Sequence, residues 1–342
     1  MSEHATPGAG AAEPAEAGPR EPSFNRGFRR MFRPGRLTLG LIFPIESYGL
    51  VHWDMPTMAG QDQMAKTAEA LGFAALWVRD VPLRDPNFGD VGQIYDPWTW
   101  LGVVTANTRD IALATGSIIL PLRHPLHVAK AAASIDHLSG GRLVMGVGSG
   151  DRPIEFPAFA VPYEERGPRL AESMAFIRRA WASEYPFIRS PLGTLQHADL
   201  VPKPHAAGIA MLVTGHSQQS LEWIAANSDG WLTYARHPAH QKPLADRWRA
   251  LTGDAAPGLF KPFAQGLHVD LAEDADEDPR LIHNGYRLGR KRLIELFEVQ
   301  QHIGVNHCII NLKFARRPAA EAVQEIAEEV LPLFPTPAEA GT

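Results

Sequence analysis

The sequence predicts an α/β fold, a single parallel (β/α)8 TIM barrel with insertions, and two observations support this. From residue 37 onward, short apolar or β-branched segments alternate with amphipathic stretches of about ten to twenty residues, which is the pattern of repeated βα units. Several of these segments are apolar without alternation, as in strands buried on both faces. The length of 342 residues suits one barrel with insertions, because (β/α)8 domains begin near ~250 residues.

Eight predicted strands follow in order along the chain. They are residues 37–43, 73–79, 111–117, 143–148, 210–214, 230–235, 263–271 and 307–312. Between them, Met64, Ala68 and Leu71 share one helical face, and Gly72 is placed to end that helix as a C′ glycine. Asp96 and Pro97 have the pairing expected at the N-cap and first position of another helix.

The chain divides into a tail and a barrel. Residues 1–34 are rich in Ala, Pro, Gly and Glu and then in Arg, so they are predicted to be a disordered or extended tail. Residues 35–336 form the predicted barrel, with inserted loops at 184–209 and 253–262 that are rich in Pro and Gly.

Composition excludes several classes of function. The net charge of -5 provides no basic face for nucleic acid, and no apolar segment approaches the ~20 residues of a membrane helix. Arg29 and Arg30 resemble an export signal, but the apolar run that follows is needed as a strand, so the cytoplasm is expected. The only cysteine, Cys308, lies in an apolar run, and we predict no metal site. The signature motifs of zinc peptidases, P-loop kinases and α/β-hydrolases do not occur.

Two turns after predicted strands are candidate phosphate cradles. Residues 146–151 read Gly-Val-Gly-Ser-Gly-Asp, although Asp151 stands where a dinucleotide fingerprint needs Gly or Ala, and a plain tight turn is the alternative. Residues 214–220 bring hydroxyls and free amides to a helix N-terminus, although Ser217 is equally consistent with an N-cap. The barrel places both turns at its C-terminal face, where they must converge to bind one ligand.

A third segment, residues 112–125, carries a resemblance to a known family. It resembles the third strand and following loop of the bacterial luciferase-like flavin monooxygenases, including their Leu-Pro-x-x-His-Pro pattern at residues 120–125. Further similarities occur in the family's order, at residues 75–78 before Asp80, at 146–150 and at 217–223. The resemblance covers roughly residues 36–334.

The resemblance implies an enzyme, an oxidoreductase that uses reduced FMN and O2 on a small organic substrate, and a homodimer, for which helices at 97–106 and 125–138 are the candidate interface. It leaves open whether a separate flavin reductase delivers the cofactor. The alternatives are hydride transfer with a deazaflavin coenzyme, a non-catalytic flavoprotein, and a lyase with Lys313 as its Schiff-base lysine.

The resemblance also assigns cofactor contacts. The residues placed against the flavin ring are Phe43, Asp80, Thr115, Gly116 and Ser117. Those placed at the phosphate end are Ser149, Gly150, Gly215, His216, Ser217 and Ser220. The peptide between Thr115 and Gly116 is expected to be a non-prolyl cis bond. Ser149 stands where luciferase has a phosphate-binding arginine, so Arg152 or Arg290 is a candidate source of that charge.

Candidate catalytic residues come from loops that follow barrel strands. They are His52, Asp80 and His124, because His titrates near neutral pH and carboxylates transfer protons. The luciferase histidine is not carried over, since Val81 occupies its position. Arg79 and Asp80 are alternatively an internal ion pair. The predicted substrate contacts are His52, Trp53, Arg123 and His124.

Overall fold

The structure, a computed structural model, describes residues 24–50, 55–88, 91–206 and 208–337. Eight parallel strands close into a barrel in the order β1-β2-β3-β4-β7-β8-β9-β12, and β12 pairs with β1. The barrel strands are β1 Thr38–Ile42, β2 Ala75–Val78, β3 Ala112–Ile119, β4 Leu143–Gly148, β7 Met211–Thr214, β8 Gly230–Tyr234, β9 Phe263–Leu271 and β12 His307–Asn311. Each falls on one of the eight predicted segments, so the predicted (β/α)8 fold is confirmed.

Helices surround the barrel, and two small hairpins extend it. The helices are α1 Arg26–Met31, α2 Gln61–Ala70, α3 Pro97–Asn107, α4 Pro125–Ser139, α5 Glu155–Ala158, α6 Arg166–Ala182, α7 Leu221–Asn227, α8 Pro238–Ala255, α9 Arg290–Ile303 and α10 Ala319–Glu325. The hairpins are β5 Ile188–Ser190 with β6 Gly193–Leu195, and β10 Arg280–Ile282 with β11 Gly285–Leu288. Among the described residues, no helix combines the length and apolarity that crossing a bilayer requires.

Helix boundaries follow the predicted capping chemistry. The Asp96 carboxylate accepts hydrogen bonds from the backbone N–H groups of Trp98 and Thr99 at the start of α3, with Pro97 as its first residue. Helix α2 ends at Ala70, and Gly72 follows it with φ of 92°, the left-handed conformation that glycine adopts without strain. Both predicted boundaries are confirmed.

Helix α1 closes the N-terminal end of the barrel, which corrects the predicted tail. Phe28, Met31 and Phe32 are buried and pack on the side chains inside the barrel. Asn25 caps α1 by accepting from the N–H of Phe28, and its amide donates to Asp136 at 2.8 Å. The prediction of a tail through residue 34 is therefore wrong for residues 24–34, because three aromatic or apolar side chains in one short helix bury enough surface to order it. Residues 1–23 lie outside the described residues, and the division into tail and barrel stays a prediction there.

The reactivity of the buried Cys308 thiol tests how tightly the barrel core is packed. Its side chain is 0% exposed, and burial raises the pKa of the thiol to about 12. Because only the thiolate reacts with disulfide reagents, we expect no labelling of the native protein by a chromogenic disulfide over hours at pH 8. The same reagent should label one thiol per chain in denaturant, and fast labelling of the native chain would contradict this packing.

Candidate active site

A cavity opens at the C-terminal ends of the barrel strands, where (β/α)8 enzymes build their sites. It encloses about 1050 Å³, including the part open to solvent. Its lining comes from six of the barrel strands and from loops, including those that follow the other two strands. The lining residues are Ile42, Arg79, Phe88, Gly116, Asp151, Thr214, Leu232, Thr233, Tyr234, Gly266, Leu267, His268, His283, Asn284, Ile309, Asn311 and Lys313.

Gly116 and a buried indole form one part of the cavity floor. A Cβ built on Gly116 would stand 3.2 Å from Cε3 of Trp77, so this backbone surface is flat because it carries no side chain. The Trp77 indole N–H donates to Nε2 of His307 at 3.0 Å, and Nδ1 of His307 lies 2.7 Å from the Thr38 hydroxyl. The chain of hydrogen bonds fixes Trp77 beneath Gly116.

The end of β3 differs from the prediction in two ways. The non-prolyl cis peptide lies between Gly116 and Ser117, so its predicted position at Thr115–Gly116 is wrong by one residue. The Thr115 side chain is buried, and its hydroxyl donates to the carbonyl of Gly146 at 2.8 Å. Successive side chains of a strand point to opposite faces, so Gly116 borders the cavity while Thr115 points away from it.

The two predicted phosphate turns meet beside this floor. The Ser149 N–H donates to the Ser217 hydroxyl at 3.2 Å, and that hydroxyl donates to the Thr214 carbonyl at 2.7 Å. The Ser117 hydroxyl donates to Thr214 Oγ1 at 2.7 Å, and Thr214 lines the cavity. Three strand ends therefore bring hydroxyls and amides together, where an anion would take the place of the protein acceptors that these donors now contact.

The loop after β7 has the backbone of a tight nest. Gly215, Ser217 and Gln218 all have positive φ, at 57°, 46° and 62°, which turns successive N–H groups to one side. Ser220 instead accepts from the Trp223 N–H at 3.1 Å as the N-cap of α7. His216 is exposed, and its ring meets the Trp231 ring edge-on at 6.0 Å.

Arg290 and Arg152, the two predicted sources of positive charge for the phosphate, lie in different parts of the structure. Arg290 pairs with Glu325 on α10 at 3.1 Å, outside the barrel wall. Arg152 is buried, and its guanidinium lies 4.5 Å from the ring centre of Phe88, a cavity residue. Arg152 is therefore the better placed of the two predicted candidates.

Asp80 belongs to an ion pair that ties the end of β2 to the loop after β3. Its carboxylate accepts from Arg123 Nε at 2.7 Å and Nη2 at 2.8 Å, and from the Ile119 N–H at 3.1 Å. Burial lowers the pKa of Arg123, but the hydrogen bonds and charges of Asp80 and Asp96 raise it above its usual value, so the guanidinium stays charged. Asp80 thus pairs with Arg123, which is held at the rim and does not line the cavity, so the substrate role assigned to Arg123 is not supported.

Three other predicted site residues lie elsewhere. Phe43 is buried in the outer core against Trp100, with ring centres 5.3 Å apart, while the preceding Ile42 lines the cavity. His124 caps α4 and lies 3.1 Å from the Leu192 carbonyl in the β5–β6 hairpin, away from the cavity lining. These placements correct the roles predicted for Phe43 and His124. His52 and Trp53 lie outside the described residues.

Sequence reasoning missed one whole wall of the cavity. Strand β9 continues past the barrel rim, where it pairs with β11, and His268, which pairs with both Asn311 of β12 and Gly285 of β11, lines the cavity at this rim. His283 and Asn284 join it from the β10–β11 hairpin, and Lys313 from the end of β12. The sequence had suggested Lys313 as the lysine of the lyase alternative. The alternation of apolar segments and helices does not indicate that His268 lies at the barrel rim.

The two neutral histidines give the fold a pH dependence. Burial lowers the pKa of His307 to about 3 and that of His268 to about 4. Below pH 6.5 the unfolded chain binds protons that the folded chain does not, so stability is lost as pH falls. Between pH 7.5 and 5.5 we expect urea denaturation to show a falling free energy of unfolding, approaching about 1.4 kcal/mol per pH unit for each histidine.

A variant isolates the contribution of one ring. His307→Gln retains an amide acceptor for the Trp77 indole but binds no proton, so its free energy of unfolding should depend less steeply on pH. A slope identical to that of the wild type would contradict the assignment.

Comparison with known proteins agrees with this architecture. The sequence model of the luciferase-like monooxygenase family matches residues 38–331. The chain belongs to that family. An uncharacterized protein of Mycobacterium tuberculosis is 31% identical over 248 residues, which cover 67% of this chain and 88% of the relative. The luciferase-like family includes monooxygenases and F420-dependent dehydrogenases.

Solved structures share the fold at low sequence identity. The monooxygenase RslO1 from Streptomyces bottropensis superimposes with a TM-score of 0.72 at 20% identity, over 87% of this chain and 99% of that one. An F420-dependent secondary alcohol dehydrogenase, solved with an F420-acetone adduct, gives a TM-score of 0.70 at 18% identity, over 86% and 98%. The fold of this chain therefore resembles those of both the monooxygenase and the F420-dependent dehydrogenase.

Proposed function

We propose that the chain is a flavin-dependent monooxygenase that uses reduced FMN and O2 on a small organic substrate. The observation that supports this most strongly is that the side-chain-free floor at Gly116 and Thr214 line one cavity, and that the Thr214 carbonyl accepts from Ser217, so the Ser149–Ser217 cradle adjoins that cavity. A tricyclic ring needs a flat surface, and its phosphate needs N–H and O–H donors. The residues present fit both needs.

The chain's own residues then have distinct tasks. Gly116 and Ser117 lie beside the ring, while Ser149, Ser217 and the loop after β7 hold the phosphate. Ile42, Leu232 and Ile309 supply apolar surface inside the cavity, which excludes water around the reacting groups. When bound, the flavin supplies the redox chemistry, and the protein supplies orientation and electrostatics.

Hydride transfer with a deazaflavin coenzyme is the second candidate. A specific observation favours it, since oxidation of an alcohol needs a proton acceptor, and the neutral His268 lines the cavity. F420-dependent dehydrogenases also occur in the family. The third alternative is a non-catalytic flavin-binding protein, and the titration described next distinguishes it from the two enzymes.

Titration with reduced cofactors tests these candidates. Under anaerobic conditions the purified protein is titrated with reduced FMN and with reduced deazaflavin, and oxygen consumption is then measured with candidate substrates. Tighter binding of FMN with substrate-dependent oxygen uptake supports the monooxygenase. Preference for deazaflavin supports hydride transfer, and flavin binding without turnover supports the non-catalytic protein.

The Ser217→Ala variant tests the phosphate cradle. It removes the hydroxyl that Ser149 N–H contacts, and a charge-assisted hydrogen bond contributes about 1.5–3 kcal/mol, so we expect the affinity for FMN to fall roughly tenfold or more. Riboflavin, which lacks the phosphate, is the matched control and should bind wild type and variant equally. Ser134→Ala, a half-buried position of α4 outside the cavity lining, should leave both affinities unchanged. If Ser217→Ala lowered the affinities for FMN and riboflavin equally, Ser217 would not be part of the phosphate site.

We extend the proposal to a homodimer formed through α3 and α4. Val103 on α3 and Leu138 on α4 are 39% and 73% exposed, and contiguous apolar helix faces favour association. Sedimentation equilibrium of the wild type and of Leu138→Glu tests this surface. Delivery by a separate reductase and a cytoplasmic location stay predictions.

A further inference from the structure

The cavity wall opposite Gly116 consists of polar side chains that the cofactor site does not use. Strand β9 lies four positions from β3 around the eight-stranded barrel, so the two face each other across the cavity. We name this wall the β9 wall. Its residues are His268, His283, Asn284, Asn311 and Lys313.

His268 is held in one tautomer by the hairpin. Its Nδ1 lies 2.7 Å from the carbonyl oxygen of His283, and a carbonyl only accepts, so Nδ1 carries the proton. In the neutral ring, Nε2 is then an acceptor. Within the described ranges no group donates to that nitrogen. The Phe314 ring, edge-on at 5.0 Å, sets the plane of the imidazole.

The surroundings of His268 keep it neutral. Burial lowers the pKa of His268 to about 4, and the hydrogen bond to the His283 carbonyl opposes this. The charges of Lys313 and Arg79 lower the pKa further. At neutral pH the ring is therefore unprotonated with its acceptor nitrogen available, and an oxyanion formed beside it would raise its pKa and so favour proton transfer.

Lys313 places a positive charge on the same wall. Its side chain is buried, and Nζ lies 5.1 Å from the ring centre of Phe314 and 5.5 Å from that of Tyr48. The Gly49 N–H donates to the Lys313 carbonyl at 2.9 Å and fixes its backbone. A charge in a partly dehydrated cavity acts more strongly on an oxyanion than it does in bulk water.

We propose that the β9 wall is a subsite for a substrate hydroxyl group, in which His268 Nε2 accepts the hydroxyl proton and Lys313 stabilises the resulting oxyanion. The O–H bond breaks, the proton moves to Nε2, and the electron pair stays on oxygen. The substrate is accordingly a phenol, oxygenated with reduced FMN and O2, or a secondary alcohol, whose C–H hydride passes to an oxidised deazaflavin coenzyme. This inference rests on the proposed function, because the subsite faces the ring site.

Binding of 4-nitrophenol tests the subsite without any cofactor. The probe absorbs differently as phenol and phenolate, so its ionisation in the complex is read directly at a pH below its own pKa. We expect wild type to bind it as phenolate. His268→Gln, which accepts a hydrogen bond but is not a base, should bind it at least tenfold more weakly and as the phenol. Lys313→Met should also lose the phenolate band.

Controls separate this subsite from the fold and from the flavin site. His240→Gln, on the exposed face of α8, should behave as the wild type. Nitrogen-15 NMR of labelled histidine should show the Nδ1–H tautomer of His268 in the free protein and an imidazolium when 4-nitrophenol is bound. A merely structural His268 would show no such change.

Turnover distinguishes the two substrate sources. Phenol hydroxylation with reduced FMN and O2, or alcohol oxidation with deazaflavin, should fall about 100-fold or more in His268→Gln, while that variant keeps the wild-type affinity for FMN. If FMN fails to bind the wild type, the proposed function fails. If FMN binds but His268→Gln leaves phenolate formation and turnover unchanged, or neither a phenol nor an alcohol binds, the subsite is overturned.

Discussion

We expect replacement of Gly116 by valine to weaken flavin binding strongly in a barrel that stays folded. The new Cβ would stand 3.2 Å from Trp77 Cε3 and 3.6 Å from Leu232 Cδ2, and the two methyl groups would fill the space above the floor. Because the ring can no longer lie on the backbone, we expect the affinity for FMN to fall at least about 100-fold, equivalent to about 2.7 kcal/mol.

Fluorescence titration measures this loss, and circular dichroism confirms that the variant is folded. Gly102→Val is the matched control, because a side chain at this position of α3 meets no atom within 4 Å. It should bind FMN as the wild type does. Wild-type affinity in Gly116→Val would place the ring elsewhere in the cavity and remove the basis of the proposed function.

Asp80→Ala destabilises the protein by about 3 kcal/mol. The Asp80 side chain is 1% exposed and that of Arg123 is 26% exposed, and breaking a buried pair costs about 3–5 kcal/mol because a buried charge loses its partner. The low end applies here, since Arg123 keeps Asp96 at 3.0 Å. The variant also removes the acceptor of the Ile119 N–H, which holds the end of β3 that carries Gly116.

Denaturant unfolding measures this change, and a double-mutant cycle isolates the pair. Arg123→Met in the Asp80→Ala background should restore part of the stability, because no uncompensated charge remains. Asp246→Ala, which breaks exposed pairs with Lys242 and Arg249 on α8, is the control and should cost less than about 1 kcal/mol. An Asp80→Ala variant as stable as this control would show that the ion pair contributes little.

The fold could be predicted from the sequence because the patterns that indicate it lie within short stretches of the chain. Alternation of apolar segments with amphipathic helices is encoded within each βα unit, and capping residues such as Asp96 act on the next few residues. The meeting of the loops that hold Ser149 and Ser217 also followed, since parallel strands end at one face. The roles assigned to these serines stay predictions.

Parts of the site depend on contacts that no local pattern contains. Strand β1 is buried on both faces, so its composition does not show that Ile42 rather than Phe43 faces inward. The Asp80–Arg123 pair joins positions 43 residues apart, and an adjacent arginine was the simpler partner. His268 sits inside a predicted strand, and its place at the rim, where β9 pairs with both β12 and β11, depends on long-range pairing.

The plug formed by α1 has a kinetic consequence. Because this helix and the layer of Trp77 and His307 fill the base of the barrel, the mouth above the strand ends serves for both entry and exit. A flavin at Gly116 and a substrate on the opposite β9 wall would therefore pass through the same opening, and release of one would be hindered while the other fills that opening.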